Sequence, residues 1–169
     1  MYSPTKFFSE GATIRGRIYN SYTSGKSPII IMAHGYSATI EGMTADKYAE
    51  EFAKEGFTVL LFDHRNFGIS DGEPRQQTNK WIQARGYRDA INFASTLPEI
   101  DDNKIALWGV SMGASAAIVT AAIDHRVKII ITLVPACDHK TPPPDTNGMA
   151  FKDIKDTFLN GDVSGSTET

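Results

Sequence analysis

The chain carries one cysteine, Cys137, in 169 residues, so no internal disulfide can staple it and a reducing compartment suits it. It also lacks any apolar run approaching the roughly 18 residues that argue for a membrane span. Its first stretch, "MYSPTKFFSEGATIRGR", has no apolar segment of the kind a secretory signal needs, and a cytoplasmic location is the expectation. Charge of one sign is scarce as well. A net charge of −3 gives no reason to expect nucleic acid or an anionic membrane as a partner. What remains is ordinary: 41% hydrophobic and 22% charged residues are the proportions of a globular domain, and this length fits one.

Three apolar ribbons stand out, "PIIIMA" (28–33), "FTVLLFD" (57–63) and "VKIIITLVP" (127–135), with a weaker fourth, "KIALWGV" (104–110). Each is short and apolar on both faces, which suits strands covered by helices on either side. The alternating "ATIRGRIYNSY" (12–22) reads instead as an antiparallel, half-exposed strand. Between them lie helical stripes. Ala45, Tyr48, Ala49 and Phe52 form one, with Thr44 as N-cap and Gly56 just past its end. Tyr87, Ala90, Ile91, Ala94 and Leu97 form a second, closed by Pro98, and a third starts at Ser111 with the small-residue run "SMGASAA". The alternation predicts an α/β fold, a mostly parallel sheet sandwiched by helices. After Pro135 the character changes to a proline-rich connection, a short amphipathic helix in "MAFKDIKDTFLNG" and a polar tail. The expected division is a core over 1–138 and the remainder, 139–169.

One turn carries chemistry. "IALWGVSMGASAAIV" (105–119) closes an apolar strand and opens a helix through Gly-Val-Ser-Met-Gly. Phosphate binding would need the pattern G-x-G-x-x-G or a Gly-Lys-Ser/Thr ending at this turn; Ser111 replaces the second glycine of the former, and the latter is missing there. G-x-S-x-G is the other use, a strained bend that lifts a serine hydroxyl clear of the sheet. Ser111 is then the nucleophile, and the Met112 N–H at the helix start is one donor to a developing oxyanion. "PIIIMAHGYS" supplies the second: the strand stops at Ala33, Gly35 permits a tight turn, and the Tyr36 N–H follows.

"HGY" after one strand, "DHRNFGISDGEPR" after the next and "WGVSMG" after the third resemble the α/β-hydrolase superfamily over about residues 5 to 138. The similarity is closest to dienelactone-hydrolase-like esterases and to serine aminopeptidase-like or Xaa-Pro dipeptidyl-peptidase-like hydrolases. The resemblance implies acyl transfer to water through Ser111. It also implies that Asp63 and Arg65 tie down turns while Gly68 and Gly72 adopt unusual backbone angles. The family places an acid and then a histidine after later strands, whereas here the ribbon 127–135 matches the sixth strand and no further strand pattern follows. The core is therefore expected to be truncated after that strand.

Four histidines are available as base: His34, His64, His125 and His139. His34 belongs to the oxyanion loop, His64 to a scaffold loop, and His125 to the far end of the sheet. His139 lies on the correct edge and is the candidate base, with Asp138 as candidate acid. Adjacent residues can hardly serve as base and orienter together, because the acid must grip the imidazole from behind. The reading is a serine hydrolase acting on a small ester, thioester or amide, nearly inactive as this chain alone, with no cofactor or metal required. A non-catalytic acyl-binding module and an acyltransferase of the same fold are the alternatives. The ribbon 127–135, left as an apolar edge, predicts self-association or pairing with a complementing C-terminal segment.

Overall fold

The computed structural model describes residues 1–42, 44–137 and 148–160. Six strands, β1 (Ser3–Ser9), β2 (Ala12–Tyr19), β3 (Ser27–Ala33), β4 (Thr58–Phe62), β5 (Ile100–Val110) and β6 (Val127–Leu133), form one sheet in the order β1-β2-β4-β3-β5-β6. The first two junctions in that order are antiparallel and the last three parallel. Four helices accompany them: α1 (Ala45–Lys54), α2 (Lys80–Ala94), α3 (Met112–Ile123) and α4 (Met149–Asn160). This is the expected α/β architecture, and the described strands end at β6.

Side-chain alternation along the strands sorts the core into two layers. Ile29, Ile31, Leu60, Phe62, Ile105 and Leu107 face the layer that α2 and α3 cover. Ile30, Met32, Val59, Leu61, Ala106 and Trp108 face the layer closed by Ala45, Ala49 and Ala53 of α1. Fully burying such a side chain is worth about 1.5–3 kcal/mol, so the central strands anchor the domain.

The winding positions the site. From β3 the chain passes through α1 to β4 on one side, then through α2 to β5 on the other side of β3. The loops leaving the carboxyl ends of β3 and β5 thus turn to opposite faces, and such a reversal opens a crevice where α/β sheets bind ligands.

Several local expectations are corrected. β1 was not legible; it pairs with β2 from Ser3 opposite Ile18 to Ser9 opposite Ala12. β5 starts at Ile100, before the expected 104, because Ser27 of β3 pairs with Ile100 across an irregularity in the register. Thr44 occupies the α1 N-cap position with φ 57° and makes no side-chain cap bond; Gly56, with φ 95°, does follow the helix end. Asn79 caps α2, its side-chain oxygen accepting from the Trp81 and Ile82 N–H groups, and Leu97 lies past that helix while still packing on the core. β6 is not covered on both faces: Ile129 is 60% and Ile130 43% exposed. The amphipathic segment is α4, whose Phe158 is buried in the α2 layer with the Arg88 guanidinium 5.7 Å from its ring. No helix of the described residues is long and apolar enough to cross a membrane.

Candidate active site

Ser111 sits at the tip between β5 and α3 with φ 52° and ψ −118°, a conformation that costs a non-glycine residue about 1–3 kcal/mol and persists only where surroundings enforce it. Here they do. Its N–H donates to Leu133 O at 2.9 Å, and its carbonyl accepts from the Ala136 N–H at 3.2 Å. Ser115 Oγ donates in turn to Ala136 O at 2.6 Å. The last residue of β6 and the segment just after it therefore hold both backbone groups of Ser111. The Ser111 side chain is half-buried, and its hydroxyl has no hydrogen-bond partner among the described residues.

The glycines around it are a packing requirement. A Cβ at Gly109 would lie 2.5 Å from the Gly113 carbonyl, and one at Gly113 would land on the His34 carbonyl oxygen. At Gly35 it would meet Val110 O at 2.9 Å and Ser111 Cβ at 3.1 Å. The "HGY" loop and the serine thus share one rim in direct contact, as the sequence predicts.

Two N–H groups border this rim. Met112 is the first residue of α3, so its N–H has no partner within the helix. The Tyr36 N–H likewise has no partner among the described residues. Its direction is set by His34: the His64 N–H donates to His34 Nε2 at 3.1 Å, which leaves the ring proton on Nδ1 to donate to Gly35 O at 2.8 Å. The Gly35 carbonyl is drawn inward, and in a planar trans peptide the Tyr36 N–H points the opposite way.

The alpha/beta hydrolase fold family matches residues 28–165. The chain belongs to that family. Among curated proteins, this α/β hydrolase is 42% identical over 135 residues to the thiohydrolase aneE of Aspergillus aculeatus, covering 79% of the chain and 42% of the relative. It is 39% identical over 129 residues to the polyketide transferase ATR5 of Stachybotrys chlorohalonatus, covering 76% and 42%. Among solved structures, the α/β hydrolase GrgF from Penicillium sp. sh18 superposes with a TM-score of 0.77 at 30% identity, covering 96% of the chain and 56% of its own. The chain spans about half the length of the curated relatives it matches.

The other sequence-predicted residues of this α/β hydrolase fall into two groups. Asp138 and His139 lie outside the described residues. The scaffold loop is as expected: buried Asp63 accepts from the Ile40 N–H through Oδ1 at 2.8 Å and from the Ile69 N–H through Oδ2 at 2.9 Å. Arg65 Nε donates to Glu10 O at 3.0 Å, and Gly68 and Gly72 take φ 48° and 116°. None of His34, His64 and His125 is hydrogen-bonded to Ser111. Burial pushes the His34 imidazole below its ordinary value, with its bond to Gly35 and the nearby Asp63 pulling the other way. Burial, and then His34, push His64 well below, and its Nε2 has no partner among the described residues. Both rings are neutral struts. His125 follows α3 at the amino end of β6, across the sheet from the rim. Sequence reasoning missed the Ser115 clamp on Ala136: no spacing marks a serine as holding the strand-end segment of another element.

Proposed function

We propose that the chain is the nucleophile-bearing part of a serine hydrolase that cleaves an ester, thioester or amide through an acyl-Ser111 intermediate. The supporting observation is the left-handed φ of 52° at Ser111, on a bend against which Gly35 packs. Ser111 Oγ adds to the acyl carbonyl carbon while its proton passes to a base. The carbonyl oxygen becomes an oxyanion that accepts from the Tyr36 and Met112 N–H groups, and losing one such donor costs about 10²–10³ in turnover. Collapse restores the carbonyl and expels a thiolate, alkoxide or amine, which takes up the proton. Water then cleaves the acyl-serine.

We assign the base to a histidine outside the described residues, either His139 beside Asp138 or one in a complementing segment. Without its histidine a serine-protease triad loses about 10⁶-fold in turnover, so where the base belongs to a complementing segment this chain alone is expected to turn over almost nothing. Relatives named thiohydrolase favour a thioester substrate. Relatives named polyketide transferase and acyltransferase favour a second reading, in which the acyl group leaves Ser111 for an alcohol or amine instead of water.

A fluorophosphonate probe tests the proposal. Labelling at Ser111 is expected, slow in the isolated chain and fast when a C-terminal complement bearing a histidine is added. Equal labelling of Ser111→Ala overturns it. Saturable acyl binding without labelling in either condition assigns a non-catalytic binding module instead.

A further inference from the structure

We infer that the cavity beside the oxyanion loop is a subsite for a carboxylate-bearing arm of the substrate, with Arg75 as its cation; this rests on the hydrolase reading of Ser111. The cavity measures about 360 Å³ and lies between the loop after β3, through Tyr36, Ser37 and Thr39, and the loop after β4, through Phe67, Arg75 and Gln76. A volume of this size suits part of a small molecule. Tyr36 is a wall residue, so the proposed oxyanion donor and the cavity belong to one loop.

The walls are preorganised. Asp63 staples the two loops through the Ile40 and Ile69 N–H groups, and the Phe67 ring lies 5.5 Å from that of His34. Arg75 is clasped by neutral oxygens only: Nη2 donates to Gly68 O at 2.7 Å, and Nη1 donates to Ser70 O. Among the described residues no carboxylate pairs with it. Asp71, close enough to feel its charge, is engaged by both terminal nitrogens of Arg15. A guanidinium has more N–H donors than these contacts use. In the same lining, the Ser37 and Thr39 hydroxyls and the side-chain amide of Gln76 have no hydrogen-bond partners among the described residues. An exposed guanidinium, anchored by backbone oxygens, without a carboxylate partner among the described residues and sharing the cavity wall with free polar groups, is complementary to a carboxylate.

Glutarate and its dimethyl ester separate charge from shape. Calorimetry on the full chain at low salt is expected to show saturable glutarate binding and at least about tenfold weaker binding of the ester. Arg75→Gln would also undo the loop clasp, so Gln76→Glu is the informative variant. It sets a like charge against the ligand without touching the Arg75 contacts, and is expected to weaken glutarate about tenfold or more. Equal affinity for acid and ester, or unchanged binding by Gln76→Glu, overturns the subsite. Fluorophosphonate labelling of Ser111 is followed in parallel and should slow when glutarate is bound. Labelling that glutarate fails to slow overturns the subsite and leaves the hydrolase reading intact. Glutarate binding with no labelling at all retains the anion site and overturns the hydrolase reading.

Discussion

As sequences, β3 and β6 are close equals: "SPIIIMA" and "VKIIITL" are both short, apolar and β-branched. In the fold they are opposites. Ile29, Ile31, Met32 and Ala33 are wholly buried, whereas Ile129 and Ile130 of β6 stand open. β3 has β4 on one side and β5 on the other, with helices over both faces, while β6 pairs only with β5 among the described strands. Hydrophobicity states what a strand can bury; its neighbours decide whether it does. The same contrast separates the proposed catalytic rim, where glycines leave no room for a methyl group, from the β6 flank, where Ile129 and Ile130 stay exposed.

Filling the tight side should have the largest effect of any change at the rim. Gly113→Val places side-chain carbon onto the His34 carbonyl and must spread the "HGY" loop from the elbow. Overpacking of this kind costs about 1–3 kcal/mol, and here the obstacle is backbone, so the upper end is expected. The urea midpoint should fall accordingly, and Ser111 labelling should be lost with it. A midpoint within about 0.5 kcal/mol of the parent, the range of neutral surface changes, together with normal labelling, would break the comparison, since the rim would then have slack.

This asymmetry also marks what the sequence could and could not say. The rim was legible because its constraints are local and chemical: a strand, then glycine, serine and glycine at fixed spacing, then small residues. The same holds for Asp63 and Gly68, whose roles follow from one loop's own turns. What escaped depended on distant partners. β1 exists because β2 offers it an edge from Ser3 to Ser9, and no apolar ribbon announces it. The Nδ1-protonated tautomer of His34 is set by the His64 N–H, thirty positions away in sequence, and the Ser115 hold on Ala136 spans a helix and a strand. Thr44 shows the converse, a good capping residue whose backbone angle leaves its hydroxyl unused.

Acid should reach the rim before the flank. His34 and His64 are buried there and held below the ordinary histidine value, so the unfolded chain takes up protons that the folded one refuses. Stability is then independent of these groups above about pH 6.5, the ordinary histidine value. It falls as pH drops below that, by up to about 1.4 kcal/mol per pH unit for each histidine, until the folded-state values are reached. Thermal melts between pH 7.5 and 4.5 check this. His64→Phe is the sharper form of the test, because the ring packs edge-on to Phe62 and Tyr87 at 5.4 and 5.7 Å and its Nε2 has no partner to lose among the described residues. The variant should flatten the acid limb; an unchanged slope would assign the pH dependence to other groups.

The smallest effect on stability belongs to β6, and for a physical reason. Ile129 is already 60% exposed, so replacing it with lysine removes little apolar burial and adds a charge that water can still solvate. Surface changes of this kind fall within about 0.5 kcal/mol. Association is another matter. An open, apolar strand edge with unpaired ladder groups is a template for another chain, and a lysine on it is a natural block. The chain is therefore expected to self-associate in a concentration-dependent way that Ile129→Lys suppresses, read by sedimentation velocity with the melting temperature as control. The same substitution at buried Ile31 of β3 should unfold the domain, because its ammonium would have no route to water. If Ile129→Lys instead lowered stability by as much as a core substitution, β6 would have a partner in solution that its exposure conceals, and the difference between the two strands would vanish.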